Sequence, residues 1–327
     1  MTQTEFLQDL EAFLQEWHNG SSTIGVQTSG STGTPKAMQV EKKRMVASAR
    51  LTCSFLGLKE GDTALLCMPL GYIAGKMVVV RSLVTGLHLI PVAPCGHPLA
   101  GLKEAPTFAA MIPMQVYNSL QVPEERDMLK SIKQLIIGGG AIDESLANEL
   151  KDFPNAVWST YGMTETLSHI ALRQLNGKNI SIWYTPFENV RIRLSEEDTL
   201  VIHAPEVCTE ELITNDIAEI NEKGQFRILG RKDNIINSGG IKIQIEQVEE
   251  HLKAHITSPY MITSAPDTKF GEIVVLLHEE GEEQQLRHIC ESILPSYWIP
   301  KRYIKTKKLP LTETGKLDRA TAKQLVL

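Results

Sequence analysis

Thr28-Ser-Gly-Ser-Thr-Gly-Thr-Pro-Lys36 crowds hydroxyls, glycines and one lysine directly behind a short apolar run, Ile24 to Val26. Glycine lets the backbone take φ > 0 and approach a ligand, and successive N–H groups and hydroxyls can surround phosphate oxygens. The segment therefore predicts a phosphate cradle made by Thr28, Ser29, Gly30, Ser31, Thr32, Gly33 and Lys36. It lacks the Gly-Lys-[Ser/Thr] of a Walker loop, and Pro35 precedes the lysine. Taken alone, an ordinary polar loop has the same composition.

Four other segments carry comparable chemistry. Tyr161-Gly-Met-Thr-Glu-Thr166 puts a carboxylate behind an expected strand end, where Mg²⁺ binds with one or two carboxylates plus phosphate oxygens. Gly138-Gly-Gly-Ala141 leaves backbone free to lie against a planar ring. Thr214-Asn-Asp216 and Gly230-Arg231 set an acid and a guanidinium on neighbouring β segments, suited to ribose hydroxyls and phosphate, although surface ion pairs look alike. Leu311 to Arg319 places Lys316 beside Gly315, where a mobile cation could reach a reacting carboxylate.

In this order and spacing the segments resemble the adenylate-forming superfamily, which includes the acyl-CoA synthetases, and the resemblance runs from Thr28 to Arg319. It implies ATP, Mg²⁺ and coenzyme A as the small-molecule partners of an organic acid. Thr28 to Lys36 would be the phosphate loop. Tyr161 and the Gly138 to Ala141 turn, with Gly139, Gly140 and Ala141, would hold adenine, Gly162 and Thr164 would belong to the same nucleotide site, and Asp216 would bind the ribose, with Arg231 nearby. Thr164 and Glu165 would serve catalysis, Glu165 as metal ligand, and Lys316 would catalyse adenylation. Asp233 would be the hinge, and Ser238, Gly239 and Gly240 would face the site for the CoA step. Within the superfamily, the short length and Pro69 to Arg81 look most like the ligases that activate o-succinylbenzoate for menaquinone biosynthesis. There an arginine six residues after a glycine is associated with the second carboxylate, which here is Arg81 counted from Gly75. Tyr72, Gly75, Lys76 and Arg81 are the implied substrate contacts. An aromatic dianion independently requires apolar walls and one buried cation, for which arginine is suited. Another aryl- or acyl-CoA ligase, a carrier-protein-loading adenylation enzyme and a catalytically silent nucleotide-binding relative remain alternatives.

The chain departs from the superfamily pattern in places. Only 27 residues precede Thr28, implying an N-terminal subdomain reduced to little more than one helix. Gly71-Tyr72 stands where an aromatic-His pair is usual, Asn215 replaces a glycine, and Ile245 and Gln247 occupy positions where Pro and Glu are frequent.

Elements of the right kind exist to position these groups. Phe6, Leu7, Leu10, Phe13, Leu14 and Trp17 predict a helix over 4–17. Apolar runs at Ile24–Val26, Ala64–Met68, His88–Val92, Leu135–Ile137 and Ala156–Ser159 read as strands, and Met45–Leu56 and Glu144–Phe153 as helices. That alternation predicts an α/β fold of β–α units around a largely parallel sheet covered on both faces. From about residue 180 hairpin-rich β structure follows, then an α+β pattern. The expected division is a large α/β domain with a β subdomain, 1–232, and a small mobile α+β domain, 233–327. The 327 residues carry a formal charge of −6, which excludes a global basic field for nucleic acid. Five cysteines without C-x-x-C spacing argue against a disulfide framework or structural zinc and for a reducing, cytoplasmic setting. The most apolar stretch, 64–94, is interrupted by Pro69, Lys76 and Arg81, so no integral membrane association is expected. A homodimer is among the expectations.

Overall fold

Thr2 and Glu5 open the first helix as a reciprocal cap. Thr2 Oγ1 accepts from the Glu5 N–H at 3.3 Å, and the Glu5 carboxylate accepts from the Thr2 N–H at 2.7 Å. Helix α1 (Gln3–His18) then buries Phe6, Leu10 and Phe13 on one stripe. The computed structural model describes residues 1–27, 37–140, 142, 144–311 and 317–327. Strand β1 (Thr23–Gln27) pairs antiparallel with β2 (Ala37–Glu41), from Thr23↔Glu41 to Gln27↔Ala37. This corrects the expected β–α step: positions 28–36 are bracketed by a hairpin that forms its own two-stranded sheet.

Helix α2 (Lys42–Leu56) leads into the main sheet, made by β3 (Thr63–Leu66), β4 (His88–Pro91), β5 (Phe108–Met111), β6 (Gln134–Ile137), β7 (Ala156–Gly162), β8 (His169–Gln174) and β9 (Thr185–Pro186). Its order is β4-β3-β5-β6-β7-β8-β9. The first five strands run parallel, and β8 and β9 are antiparallel additions. Alternation along β3 sorts the core: Ala64 and Leu66 join the cluster containing α1, α2 and α3 (Ile73–Thr85). Leu65 and Cys67 join the cluster containing α4 (Pro113–Gln121), α5 (Pro123–Ser131) and α6 (Glu144–Leu150). Both faces are thus covered, as a parallel sheet requires.

Four antiparallel strands follow, β10 (Arg191–Leu194), β11 (Thr199–His203), β12 (Leu212–Ile220) and β13 (Phe226–Arg231), in sequence order. A 3₁₀ turn, Lys232–Asn234, joins β13 to a separate sheet. That sheet comprises β14 (Ile235–Ser238), β15 (Ile241–Gln244), β16 (Tyr260–Asp267), β17 (Gly271–His278) and β18 (Arg302–Lys305). Helices α7 (Ile245–Lys253) and α8 (Glu283–Ile293) share one of its cores, and residues of α9 (Arg319–Gln324) the other. Among the described residues, no helix is long and apolar enough to cross a membrane.

Helix α3 lies so close to the end of β3 that a methyl at Gly75 would meet the Met68 carbonyl oxygen at 2.8 Å and the Pro69 carbonyl carbon at 2.9 Å. Backbone there cannot retreat as a flexible side chain would. Gly75→Ala is expected to lower the unfolding free energy by about 1–3 kcal/mol, the usual range for overpacking. Urea denaturation checks this, and an unchanged midpoint would mean that α3 is free to shift.

Candidate functional site

The antiparallel register of β12 and β13 sets Asp216 opposite Arg231, and Tyr161 reaches them from the C-terminal end of β7. The Tyr161 hydroxyl donates to Asp216 Oδ2 at 2.6 Å and an Arg231 terminal nitrogen donates to Oδ1 at 3.1 Å. The Asp216 N–H donates to Thr214 Oγ1 at 3.1 Å. The other Arg231 nitrogen donates to Asp233 at 2.8 Å, and Asn215 Nδ2 donates to both Asp233 oxygens at 3.2 and 3.1 Å. Burial pushes the Tyr161 phenol up, and the Asp216 charge pushes the same way. Burial disfavours the charge on Arg231, but Asp233 and Asp216 outweigh it and raise the pKa. Phe226 meets Tyr161 edge-on at 5.0 Å and stacks on Tyr184 at 5.5 Å, giving the acid–guanidinium pair an aromatic flank. A partly buried carboxylate so placed can accept from vicinal hydroxyls, and the half-buried Tyr161 ring, braced by the fully buried Phe226, can flank a planar base.

A cavity of about 640 Å³ opens beside this cluster at the C-terminal ends of β3, β5, β6 and β7. Its walls are largely apolar, including Met68, Ile73, Met111, Met163 and Leu167, with Thr164, Ser168 and His169 among the polar exceptions. Arg81 projects into it from α3 while only 2% exposed. One terminal nitrogen donates to Ser168 Oγ at 2.6 Å, and the buried Nε has no hydrogen-bond partner among the described residues. Among the described residues no carboxylate pairs with it. Burial pushes the guanidinium down to about 10, so at neutral pH it remains charged. A buried cation in an apolar chamber has the electrostatics of an anion receptor.

Several expected residues join these two clusters. Tyr72, Gly139, Gly162 and Thr164 line the cavity, and Gly139 has φ 81°, which favours glycine. A methyl at Gly162 would collide with the Ser168 carbonyl and His169 backbone. Glu165 sits exposed on the 3₁₀ turn Thr164–Thr166, with no cation paired to it among the described residues. Gly140 is exposed and outside the cavity wall.

Lys76, expected at the substrate, is turned away. Its Nζ donates to the Gly25 carbonyl at 2.6 Å and lies 5.4 Å from the Phe13 ring centre, and burial lowers its pKa. Five residues along a helix amount to about 140° of rotation, so Lys76 and Arg81 cannot face the same chamber. Gly75 likewise serves close packing rather than the cavity wall. Ser238 pairs with Ile241 across a hairpin whose two turn residues, Gly239 and Gly240, have φ 58° and 83°; none of the three lines the cavity. Thr28, Ser29, Gly30, Ser31, Thr32, Gly33, Lys36, Ala141 and Lys316 lie outside the described residues. Leu311 and Leu317, on either side of 312–316, form an antiparallel bridge, and Leu311 lines the cavity.

Sequence reasoning did not single out Ser168, His169 or Thr52. Thr52 Oγ1 and His169 Nε2 are 3.1 Å apart although 117 residues separate them in the chain. No local pattern announces such a pair.

Replacing Tyr161 by Phe removes a donor from Asp216 and should lower neutral-pH stability by about 1–2 kcal/mol. The folded Tyr161 holds its proton to higher pH than the unfolded chain does. Its contribution is therefore complete below about pH 10 and lost as pH climbs further. Tyr161→Phe should flatten that alkaline decline, with Tyr260 and Tyr303, also raised by burial, keeping their share. An equally steep decline in chemical denaturation from pH 9 upward would contradict the role given to Asp216.

A family model described as AMP-binding enzyme matches residues 22–212. A 2-succinylbenzoate–CoA ligase of Bacillus thuringiensis subsp. konkukian is 26% identical over 335 residues, covering 92% of this chain and 69% of that protein. The acyl-CoA synthetase (AMP-forming)/AMP-acid ligase II-like protein of Dyadobacter fermentans superposes with a TM-score of 0.66 at 32% identity, covering 98% of this chain and 95% of that one. The o-succinylbenzoate CoA synthetase of Bacillus subtilis, solved with its acyl-adenylate intermediate, gives 0.76 at 23% identity over 91% of this chain and 68% of that one, a likeness of fold. The family match takes in more than half of the sequence, including β12's start and the whole cavity sheet, so the chain belongs to the AMP-binding enzyme family.

Proposed function

We propose that this protein is an ATP-dependent acid:CoA ligase that forms an acyl-adenylate and then a thioester, with 2-succinylbenzoate as its acid. The observation that carries the choice of acid is Arg81, a buried guanidinium without a carboxylate partner among the described residues, in a chamber whose walls are otherwise mainly apolar. An aromatic acid with a second carboxylate supplies both the ring for those walls and the missing anion. The relatives named for this substrate and the adenylate-bound neighbour of like fold support the same reading.

In the first step a carboxylate oxygen of the acid attacks the α-phosphorus of ATP in line, and the bond to the bridging β-phosphate oxygen breaks to release pyrophosphate. Catalysis of such a transfer is positioning plus neutralisation of developing charge. Asp216 would accept the ribose hydroxyls, with Arg231 nearby and the aromatic flank of Tyr161 together with Gly139, Gly140 and Ala141 against adenine. Thr28 to Lys36 would surround the phosphates. The exposed Glu165 carboxylate, adjacent to Thr164 on one turn, fits a single-carboxylate Mg²⁺ ligand, the remaining ligands being phosphate oxygens and water. When bound, that ion neutralises phosphate charge. Lys316 would bridge the attacking carboxylate and the nucleotide, delivered by the segment that Leu311 and Leu317 bracket.

In the second step the CoA sulfur attacks the acyl carbon, the bond to the AMP oxygen breaks, and the thiol proton passes to solvent. We place the boundary between the mobile units at Asp233, in the 3₁₀ turn after β13, so that rotation there exchanges Lys316 for the Ser238 to Gly240 hairpin. We also assign the protein to a reducing cytosol, in keeping with its five free cysteines.

Pyrophosphate release from a panel of acids, with and without CoA, tests the proposal. 2-Succinylbenzoate should be preferred and should yield its thioester only with CoA present; release with other acids alone would overturn it. Arg81→Ala should raise KM for 2-succinylbenzoate about a hundredfold, as expected for losing one partner of a buried charge pair, while leaving benzoate unaffected. Equal loss for both acids would remove Arg81 from substrate recognition. Lys316→Ala should abolish adenylate formation yet leave thioester formation from supplied adenylate intact, and parallel loss of both steps would contradict its role.

A further inference from the structure

Beyond Arg81, three buried or half-buried side chains continue in single file, Ser168 and His169 on the cavity wall and Thr52 behind it. A guanidinium only donates, so Ser168 Oγ, 2.6 Å away, is its acceptor. Ser168 Oγ lies 3.2 Å from His169 Nδ1, and His169 Nε2 lies 3.1 Å from Thr52 Oγ1. Thr52 is 0% exposed and its hydroxyl donates to the Ser48 carbonyl at 3.2 Å, within α2. Each hydroxyl has one hydrogen, which gives the file a direction. Thr52 directs its hydrogen to Ser48 and therefore accepts from His169, so the imidazole proton is on Nε2. The bare Nδ1 then accepts the Ser168 hydrogen, and the Ser168 lone pair remains for Arg81. With the proton on Nδ1 instead, Thr52 would have to give up Ser48 to donate to Nε2, and Ser168 would have no acceptor for its hydrogen in this file.

The surroundings favour the neutral ring. Burial, reinforced by the Arg81 charge, holds His169 well below the ordinary imidazole range. Phe187 packs across the ring at 5.4 Å between centres. We propose that His169, kept as its neutral Nε2–H tautomer by Thr52, is a positioning residue that turns Ser168 to accept from Arg81 and so fixes the guanidinium for the distal carboxylate of the acid. This rests on the reading that Arg81 binds that carboxylate.

Two substitutions separate the roles of the ring nitrogens. His169→Asn can place an amide oxygen at the Nδ1 position and retain the acceptor for Ser168; His169→Gln reaches toward Thr52 and lacks it. In the full-length protein, His169→Gln should raise KM for 2-succinylbenzoate about tenfold, the effect of losing one charge-assisted hydrogen bond, and His169→Asn at most about threefold. KM for ATP should stay constant in both. Equal effects of the two variants, or a parallel rise in KM for ATP, would overturn the proposal. Nitrogen-15 NMR of the histidine-labelled wild-type chain reads the tautomer directly, with His169 assigned by the signal lost in His169→Asn: a protonated Nε2 and bare Nδ1 support the proposal, and the reverse, or an imidazolium, overturns it. If His169→Gln does not fold, Thr52→Val tests the same file, with a mixture of tautomers and the same selective rise in KM expected, and an unchanged tautomer and KM contrary to it. Should Arg81→Ala leave use of the diacid unaltered, the functional reading fails on its own, and the wild-type spectrum still decides the tautomer.

Discussion

A positive charge held in an apolar chamber is the constraint around which this molecule is arranged. Desolvating a guanidinium is costly unless an anion or several acceptors compensate. Among the described residues Arg81 has a serine hydroxyl and no acid. The cost is sustained because α3 is locked in place: it is buried continuously from Gly75 to Ser82, and Gly75 lets it press onto the carbonyls that follow β3. The cavity is therefore poised for a ligand that brings its own negative charge.

The second pole of the site, Tyr161 with Asp216 and Arg231, is joined to the first by a single stretch of chain. Residues 161–169 leave β7, make the 3₁₀ turn at Thr164–Thr166 and enter β8, so Tyr161 stands at one end and Ser168 and His169 at the other. Leu167 within it has φ 64° while buried at 2%, a conformation that branched side chains seldom adopt. Its N–H donates to the Thr164 carbonyl at 2.9 Å, and Thr166 Oγ1 donates to the Ser168 carbonyl at 2.7 Å, so the turn is over-determined by its own bonds. One rigid turn thus sets the distance between where a nucleotide and an acid would sit.

Much of this was legible in the residues, for identifiable reasons. Periodicity exposed α1 and α2 because each buries only one face, and β3 and β6 because fully buried strands are short and continuously apolar, whereas β7 is buried only at alternate positions. Helix α3 escaped because a helix buried all round has no amphipathic signal, and its Val78-Val-Val80 run favours strand locally. Strand β5, Phe-Ala-Ala-Met, is as short as β3 and β6, but its two alanines give it little strand-forming character. That Asp216 and Arg231 stand on neighbouring strands was readable from the residues, whereas the place of Tyr161 beside them was implied only by the family resemblance. The Arg81–Ser168–His169–Thr52 file did not, because it is assembled by α2, α3 and β8 packing on one face of the sheet. Lys76 shows the opposite failure: proximity in sequence to Arg81 suggested a shared role that helical rotation forbids.

A crystal structure with ATP and 2-succinylbenzoate, or with the adenylate they form, tests the central claim most directly. The free carboxylate is expected on the Arg81 guanidinium, the aromatic ring against Met111 and Met163, and the ribose hydroxyls on Asp216. An acid bound with that carboxylate toward solvent and Arg81 bonded only to protein oxygens would contradict it.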